Sequence, residues 1–275
     1  MANLAMLAKQ NRASATGATE EKLVTGRYIP SNKQLMERAF RQLRGFAAWP
    51  DIAMSQLLVA SVLTWHKRGD LVSAGTPLPK ILLVVEGHLM FSEGDIHSPR
   101  RLGMILRGPG DLLGFWHMLN AKERVLTYFA QTDALVIHVP GNTVFELLDE
   151  EPERWKEMSH FLLGKEREAM DLAAGQVVGA FKNRLGLTVH QLASLYGVRD
   201  ASDHIHLRLT QHDLAEILCV SRQLVSEALK SWTSAGILQM EYNGIQVLDL
   251  KALAEPYPAV ENQEGRSREN DGLAK

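Results

Sequence analysis

The spacing of apolar residues changes twice along the chain and divides it into three regions. Apolar residues at helical spacing after residue 31 predict one helix, which Ser31 or Asn32 can cap, and Asp51 begins a second. Between about residues 62 and 139 the apolar pattern becomes short and β-like. From residue 140 onward helical spacing returns, so the sequence predicts a β-rich unit followed by a mainly helical one.

The β-like segments are separated mostly by Gly or Pro, which is typical of an antiparallel barrel or jelly roll that can enclose one small ligand. The segments are 63–66, 71–73, 80–85, 88–92, 101–106, 125–131 and 134–139. The sequence therefore predicts an antiparallel β jelly-roll barrel over residues 31–150, with the two leading helices packed beside it.

A long helix follows, for which Pro152 is a suitable first residue because its missing N–H needs no partner there. Apolar side chains fall at the a and d positions of a heptad, although Lys165, Gln176 and Gly179 interrupt it. The a and d residues are Trp155, Met158, Leu162, Ala169 and Leu172. This pattern predicts a dimerisation helix over 151–181, and the alternative is a helix that packs on its own barrel.

Residues 209–238, LTQHDLAEILCVSRQLVSEALKSWTSAGIL, predict two short amphipathic helices separated by Cys219-Val220. Thr210 and Asp213 have the spacing of a capping box, and Ser221 can cap the second helix. The second helix is expected to turn an apolar side inward. That side consists of Leu224, Val225, Ala228, Leu229 and Trp232. An Asn-Gly pair then predicts a hairpin, so residues 182–254 are expected to form a winged helix–turn–helix.

The polar side of the second predicted helix is suited to a DNA major groove, where base edges present distinguishable donors and acceptors. The expected base-reading residues are Arg222, Gln223, Ser226 and Glu227. Capping hydroxyls, first-turn amides and a lysine suit phosphate oxygens. The expected contacts to the DNA backbone are Thr210, Gln211, Ser221 and Lys230.

The predicted fold class is therefore α+β: an N-terminal barrel, a long central dimerisation helix and a C-terminal winged helix–turn–helix. Residues 1–30 and 255–275 lack periodicity and are expected to be disordered tails. Residues 1–44 contain eight Lys or Arg against three Glu. They are interpreted as a solvated tail and helix face, with a basic arm that touches an anionic partner as the alternative.

Composition bears on three features: disulfides, iron–sulfur clusters and membrane segments. The chain has 275 residues, of which 45% are hydrophobic, and a formal net charge of −2. A single cysteine excludes an internal disulfide and a cysteine-ligated iron–sulfur cluster, and favours a cytoplasmic location. No apolar run approaches the roughly 20 residues of a membrane span, and the first residues make a poor signal peptide. No membrane partner is expected.

The order of these parts resembles the Crp–Fnr family of bacterial transcription regulators over about residues 35–254. The strongest match is the segment at 209–238, followed by GIQVLDLKAL; VVEGHLMF and RGPGDLLG in the barrel resemble the family in the same order. The resemblance implies a homodimer that binds a palindromic double-stranded DNA operator, with RNA polymerase as a further partner. It also implies a cyclic-nucleotide-binding-type barrel and no enzyme activity.

Two departures from the family pattern bear on function. Glu227 stands where members commonly have Arg. A carboxylate can only accept hydrogen bonds, for instance from the N4 amino group of cytosine. The operator half-site is therefore expected to differ from those of the best-known members. In the cyclic-nucleotide cassette, Gly114 is followed by Phe115 rather than Glu, and Arg124 by Val125 rather than a hydroxyl residue. With Trp116 beside them, these residues predict a more apolar effector pocket than that of a cyclic AMP sensor.

No cofactor is predicted, although several alternatives remain. Cyclic nucleotide binding is one. Haem would need a ligand such as His88, His117 or His138. His204, His206 and His212 permit a metal site, but solvated histidines are the preferred interpretation.

Two other classes of protein remain. A cupin-like enzyme would need a His-x-His in the barrel, which the chain lacks there. The other is a ligand-binding partner protein whose helix–turn–helix has lost DNA contact. Residues 181–254 have seven basic and seven acidic side chains, which keeps this alternative open.

Overall fold

The computed structural model describes residues 27–28, 32–75, 80–93, 102–119, 126–177 and 179–254. Within these residues, thirteen strands form three antiparallel sheets. The strands are β1 Arg27–Tyr28, β2 Val62–His66, β3 Leu71–Gly75, β4 Lys80–Glu86, β5 Leu89–Glu93, β6 Leu102–Arg107, β7 Leu112–Leu113, β8 Leu126–Ala130, β9 Ala134–Pro140, β10 Val198–Arg199, β11 Ile205–Leu207, β12 Leu238–Glu241 and β13 Gly244–Val247.

The N-terminal sandwich consists of two of these sheets, one ordered β1-β2-β9-β4-β7 and the other β3-β8-β5-β6. Inward-pointing side chains of both sheets form one apolar cluster, which includes Val72, Val84, Leu89 and Val136. The β-like segments predicted from sequence are confirmed to within about two residues, because alternation with period two is a local signal.

The antiparallel sheets predicted from sequence are confirmed, but the described strands do not form a closed barrel. Among the described strands, none of the first sheet pairs with a strand of the second, so the sheets form an open sandwich. The strands β4 and β5 are joined by Gly87-His88 yet belong to different sheets. Alternation in a sequence shows which face of a strand is buried, but it does not show which edges pair.

Ten helices are described within these residues. They are α1 Lys33–Arg41, α2 Arg44–Ala47, α3 Asp51–Ala60, α4 Phe115–Leu119, α5 Gly141–Asp149, α6 Pro152–Val177, α7 Phe181–Tyr196, α8 Gln211–Ile217, α9 Arg222–Ser234 and α10 Leu250–Ala254. Asn32 caps α1 by accepting from the Leu35 N–H at 3.1 Å. The helices α1, α2, α3 and α5 pack with one side of α6 on the outer face of the first sheet.

The C-terminal unit consists of α7 to α10 and the sheet β10-β11-β13-β12. Its core also contains Met90 and Leu106 from the second sheet of the sandwich and Leu172 from α6. The two units therefore share apolar contacts. None of the described helices has the combined length and apolarity of a membrane-spanning segment.

The predicted N-terminal tail needs one correction. Arg27 and Tyr28 form β1 and pair antiparallel with Trp65 and Thr64 of β2. A two-residue strand carries too little alternation to be recognised in a sequence. The remainder of the predicted tails, apart from those two residues, lies outside the described residues.

Candidate nucleic-acid interface

The first helix of the helix–turn–helix, α8, begins with the capping box that the sequence predicted. The Thr210 hydroxyl accepts from the Asp213 N–H at 3.2 Å, and the Asp213 carboxylate accepts from the Thr210 N–H at 2.7 Å. The reciprocal bonds satisfy two backbone donors that a helix start leaves free. They also fix the Thr210 backbone and hydroxyl at the edge of the exposed surface.

The turn between α8 and α9 is held in one conformation by its backbone. Cys219 has a φ of 53°, a left-handed conformation that costs a non-glycine residue roughly 1 kcal/mol or more. The N–H of Val220 donates to the Ala215 carbonyl at 3.0 Å, and the N–H of Cys219 donates to the Glu216 carbonyl at 3.2 Å. The angle between the two helices is therefore set locally, and the Cys219 side chain is exposed.

The second helix, α9, is capped by Ser221, whose hydroxyl accepts from the Leu224 N–H at 3.3 Å. Its buried side consists of Val225, Ala228, Leu229 and Trp232. The expectation that Leu224 also points inward is wrong, because 40% of its surface is exposed. Leu224 lies about 100° from Val225 around the helix, outside the buried stripe.

The polar side of α9 is open to solvent in this chain. Arg222, Gln223, Glu227 and Lys230 are exposed, and Ser226 is half-buried beside them. Ser221 is exposed as well, and Gln211 at the start of α8 is half-buried. The eight residues predicted for DNA contact therefore all lie on α8, α9 or the residues that cap them.

A groove of about 350 Å³ separates the starts of α8 and α9 from the hairpin formed by β12 and β13. It is lined by Thr210, Gln211, His212, Arg222, Met240, Glu241, Asn243 and Gly244. At the hairpin tip Asn243 has a φ of 57°, as the predicted Asn-Gly turn requires, and Tyr242 is 96% exposed. The structure thus places the hairpin next to the predicted DNA-contacting residues, and sequence reasoning missed Tyr242.

The predicted effector residues are only partly described. Gly114 has a φ of +98°, and an added Cβ would lie 2.6 Å from the Lys80 carbonyl oxygen, which explains the glycine. Phe115 is buried in the core beneath α6 and packs edge-to-face on Phe145 at 5.6 Å between centroids. Trp116 belongs to α4, but its side chain lies outside the described residues, as do Arg124 and Val125.

The predicted dimer seam of α6 needs correction at two positions. Met158 is fully buried against α2, where it contacts Gly45, and Leu172 is buried in the C-terminal core. Trp155 and Leu162 are half-buried on the N-terminal core, and Ala169 is half-buried. These contacts belong to the chain itself. Among the described side chains of α6, the large apolar ones that are exposed are instead Leu163 and Met170, at 67% and 64% exposure.

The candidate haem ligands have protein neighbours. The Nε2 atoms of His66 and His138 lie 3.4 Å apart, and the His88 ring packs edge-on to Tyr196 at 5.5 Å. Burial lowers the pKa of His88 to about 4 and that of His138 to about 3, so both rings are neutral near pH 7. The side chain of His117 lies outside the described residues.

The histidines of the metal alternative are paired with carboxylates. His206 Nε2 lies 3.0 Å from Asp200 and its Nδ1 lies 3.0 Å from Glu241. The imidazole donates to both carboxylates, and its hydrogen bonds first to Asp200 and then to Glu241 raise the pKa of His206. Within the part of the chain that the structure describes, no three His, Cys, Asp or Glu side chains are arranged to hold a metal ion.

Sequence reasoning missed one polar contact of α8. The fully buried carboxylate of Asp213 accepts from Arg68 at 2.6 Å and from Gln131 at 2.6 Å. Both donors lie on turns of the N-terminal sandwich, at least 80 residues earlier in the chain. No local pattern identifies such a contact, although a buried aspartate at the third position of a helix could have suggested a partner beyond the cap.

Comparison with known proteins is consistent with this geometry. Residues 159–255 match the family model of the Crp-like helix-turn-helix domain. Over 189 residues the chain is 20% identical to the CRP-like cAMP-activated global transcriptional regulator of Mycobacterium tuberculosis, covering 68% of this chain and 84% of that protein. Over 192 residues it is 26% identical to the transcriptional regulator SdrP of Thermus thermophilus, covering 69% and 91%.

A crystal structure of a cyclic nucleotide-binding domain containing protein from Listeria monocytogenes has the same fold. Its TM-score is 0.58 at 14% identity, over 80% of this chain and 98% of that one. The matched domain and the two curated relatives are those of transcription regulators and not of enzymes.

Proposed function

We propose, from the match of residues 159–255 to the Crp-like helix-turn-helix domain and from the similarity of the chain to two transcription regulators, that this protein is a transcription regulator of the Crp–Fnr family. In this proposal it acts in the cytoplasm as a homodimer that reads a palindromic DNA operator. The observation that carries this proposal is the free polar side of α9, with a hairpin beside its start. One α-helix fits the major groove of B-DNA. In this assignment the hairpin is the wing of a winged helix–turn–helix, and the open sandwich is a jelly roll.

The side chains of α9 and the caps suggest separate roles. Arg222 can bond a guanine through two donors, and Gln223 can do the same for an adenine. Ser226 and Glu227 complete the base-reading set, with Glu227 accepting from cytosine. Four further groups suit phosphate oxygens because they offer a hydroxyl, an amide or an ammonium. These are Thr210, Gln211, Ser221 and Lys230.

Dimerisation through α6 is supported by its exposed apolar residues, Leu163 and Met170, which lie seven residues apart on one face. In a dimer with two-fold symmetry, the two copies of α9 would enter successive major grooves about 34 Å apart. RNA polymerase is a further proposed partner, by family resemblance alone.

The effector remains a proposal too. The cassette lacks the Glu after Gly114 and the hydroxyl residue after Arg124, and Phe115 fills part of the core instead of lining an opening. We therefore propose a sandwich that senses another ligand or none, and not a conventional cyclic AMP or iron–sulfur sensor. Haem and other small ligands are tested by a visible spectrum of the purified protein and by mass spectrometry of the molecules it releases.

Selection from a random-sequence DNA library at low salt tests the main proposal. The expected product is an inverted repeat with half-site centres roughly 10 base pairs apart, whose affinity falls steeply with salt because phosphate contacts release counterions. The neutral charge balance of residues 181–254 and Glu227 favour a second candidate, a regulator that has lost DNA contact. Absence of any sequence enrichment would support that candidate and contradict the first.

A further inference from the structure

A buried carboxylate of the first helix of the helix–turn–helix is hydrogen-bonded to the N-terminal sandwich. Asp213 lies in α8 and is fully buried. It accepts from both terminal nitrogens of Arg68, at 2.6 and 3.4 Å, and from the Gln131 amide at 2.6 Å. The same amide also donates to Glu216 of α8 at 3.0 Å. We name this set, Arg68, Gln131, Asp213 and Glu216, the Asp213 clamp.

Both donors of the clamp lie on rigid parts of the sandwich. The turn after Arg68 is fixed because the Gly69 N–H donates to the Ala130 carbonyl at 2.7 Å. The Arg68 N–H itself donates to the Asp133 carboxylate at 3.1 Å. The N–H of Gln131 donates to the His88 carbonyl at 2.8 Å. The Arg68 guanidinium and the Gln131 amide therefore reach α8 from turns whose backbones are held by hydrogen bonds.

The same carboxylate that receives these donors also forms the capping box with Thr210. Burial alone raises the pKa of this carboxyl, but hydrogen bonds from Arg68, Thr210 and Gln131 outweigh burial and hold it below its ordinary value. Asp213 is therefore ionised near pH 7, and the ion pair is enclosed at the carboxylate end. Buried, charge-assisted and bidentate contacts are the strong ones.

The clamp leaves the proposed DNA surface open. The polar side of α9 and the hairpin tip stay exposed while α8 is held by the sandwich. Asp213 accepts the Thr210 N–H, so the clamp fixes a residue proposed to contact the DNA backbone.

We infer that Arg68 and Gln131 are positioning residues for DNA binding: through Asp213 they hold the helix–turn–helix in the orientation that engages the operator. This inference rests on the proposed DNA binding. It gives the N-terminal sandwich a direct effect on operator affinity.

The experiment compares full-length variants. Arg68→Met removes the guanidinium but keeps the aliphatic stem, and Asp213→Asn removes the charge at constant size. Each is expected to weaken binding to the selected operator about tenfold, a typical coupling between two sites. The double variant is expected to be no weaker than either single variant, because the two residues act through one contact. The order of preferred bases should not change.

Lys67→Met is the matched control, since it removes a neighbouring positive charge that makes none of the clamp contacts. It should bind within about twofold of the wild type. If Arg68→Met fails to fold, Gln131→Met is used, which leaves the ion pair with Asp213 intact and is expected to weaken binding about threefold.

Three outcomes would overturn the inference. The first is that both single variants bind like the wild type. The second is tighter binding, which would mean that the clamp holds an inactive orientation. The third is that only Arg68→Met, and not Asp213→Asn, weakens operator binding, and that the salt dependence of its affinity falls by the amount expected for about one lost phosphate contact. That result would mean that Arg68 touches DNA directly.

A second measurement does not need DNA. Cys219 is the only cysteine of the chain and is exposed in the turn before α9, so a spin label there reports on the helix–turn–helix. Arg68→Met should increase the label's mobility, and Lys67→Met should not. A wild-type protein that binds no DNA would contradict the proposed function, whereas unchanged label mobility would contradict the clamp alone.

Discussion

At the scale of single residues, the base-reading edge of α9 combines side chains with different hydrogen-bonding capacity. Arg222 has only donors, Gln223 has donors and acceptors, and an ionised Glu227 has only acceptors. All three are exposed and sit on a helix whose buried side is fixed by Val225 and Trp232. Substitutions on this edge should therefore change recognition without changing the fold.

Arg222→Ala is predicted to cost about 1–3 kcal/mol of operator binding and to relax preference at one base, because a bidentate donor to guanine is lost. Binding titrations against single-base operator variants measure both effects. Arg199→Ala is the control, since Arg199 is an equally charged residue of the same unit that is paired with Asp203. A base preference unchanged at every position would remove the role assigned to Arg222.

Glu227→Gln is predicted to shift the preferred base at one position from cytosine toward adenine, because an amide both donates and accepts while a carboxylate only accepts. It should also strengthen binding to all sequences slightly, since one negative charge near the phosphates is removed. A repeat of the library selection measures the shift. Glu146→Gln, on the exposed side of α5, is the control. An identical selected half-site would show that Glu227 does not read a base.

At the scale of elements, the long helix α6 has two apolar sides with different partners. One side, with Met158 and Leu172, packs on the chain itself. The other exposes Leu163 and Met170. An interrupted heptad in the sequence could not show which apolar residues remain free, because that depends on where α2 and α7 pack.

The double variant Leu163→Glu, Met170→Glu is predicted to dissociate the dimer, because two carboxylates would be buried without partners in the seam. The dimer dissociation constant should rise by on the order of a hundredfold or more, measured by analytical ultracentrifugation. The control is Ile52→Glu, which changes an equally exposed apolar residue of α3. A dimer that survives the double variant would contradict the proposed seam.

At the scale of the whole molecule, three histidines in the sandwich or at its junction with the C-terminal unit make stability depend on pH. His66 and His88 are buried, and His138 is half-buried. Burial lowers the pKa of His66 and His88 to about 4 and that of His138 to about 3. An unfolded histidine has a pKa of about 6.5. Between these values the unfolded chain binds protons that the folded chain does not, so stability is complete above about pH 6.5 and declines toward pH 4.

The predicted result is a fall of several kcal/mol in the free energy of unfolding between pH 7 and pH 4, measured by denaturant titration. His88→Gln should flatten the profile by roughly 2 kcal/mol, because the His88 ring packs on Tyr196 with Asp111 and Arg208 nearby and is deeply buried. A profile as steep in His88→Gln as in the wild type would contradict the prediction.

The sequence by itself determined the parts of this protein whose signals are local. Periodicity, or caps within a few residues, predicted seven of the nine described strands of the sandwich, the helix start at Ser31 or Asn32 and the one at Asp51. The Thr210–Asp213 capping box and the Asn243 turn follow in the same way. The polar residues of α9 were predicted in the same way, because helical spacing separates its two sides. β1 and β7, each of two residues, were too short to show a pattern.

Only the tertiary structure decided which of these parts meet. It showed two separate sheets packed face to face, the burial of Met158 and Leu172, and the pairing of Asp213 with Arg68. Each of these depends on residues far apart in the chain. The physical reason is that side-chain periodicity fixes the orientation of a residue on its own element, whereas contacts between elements depend on how all of them pack together.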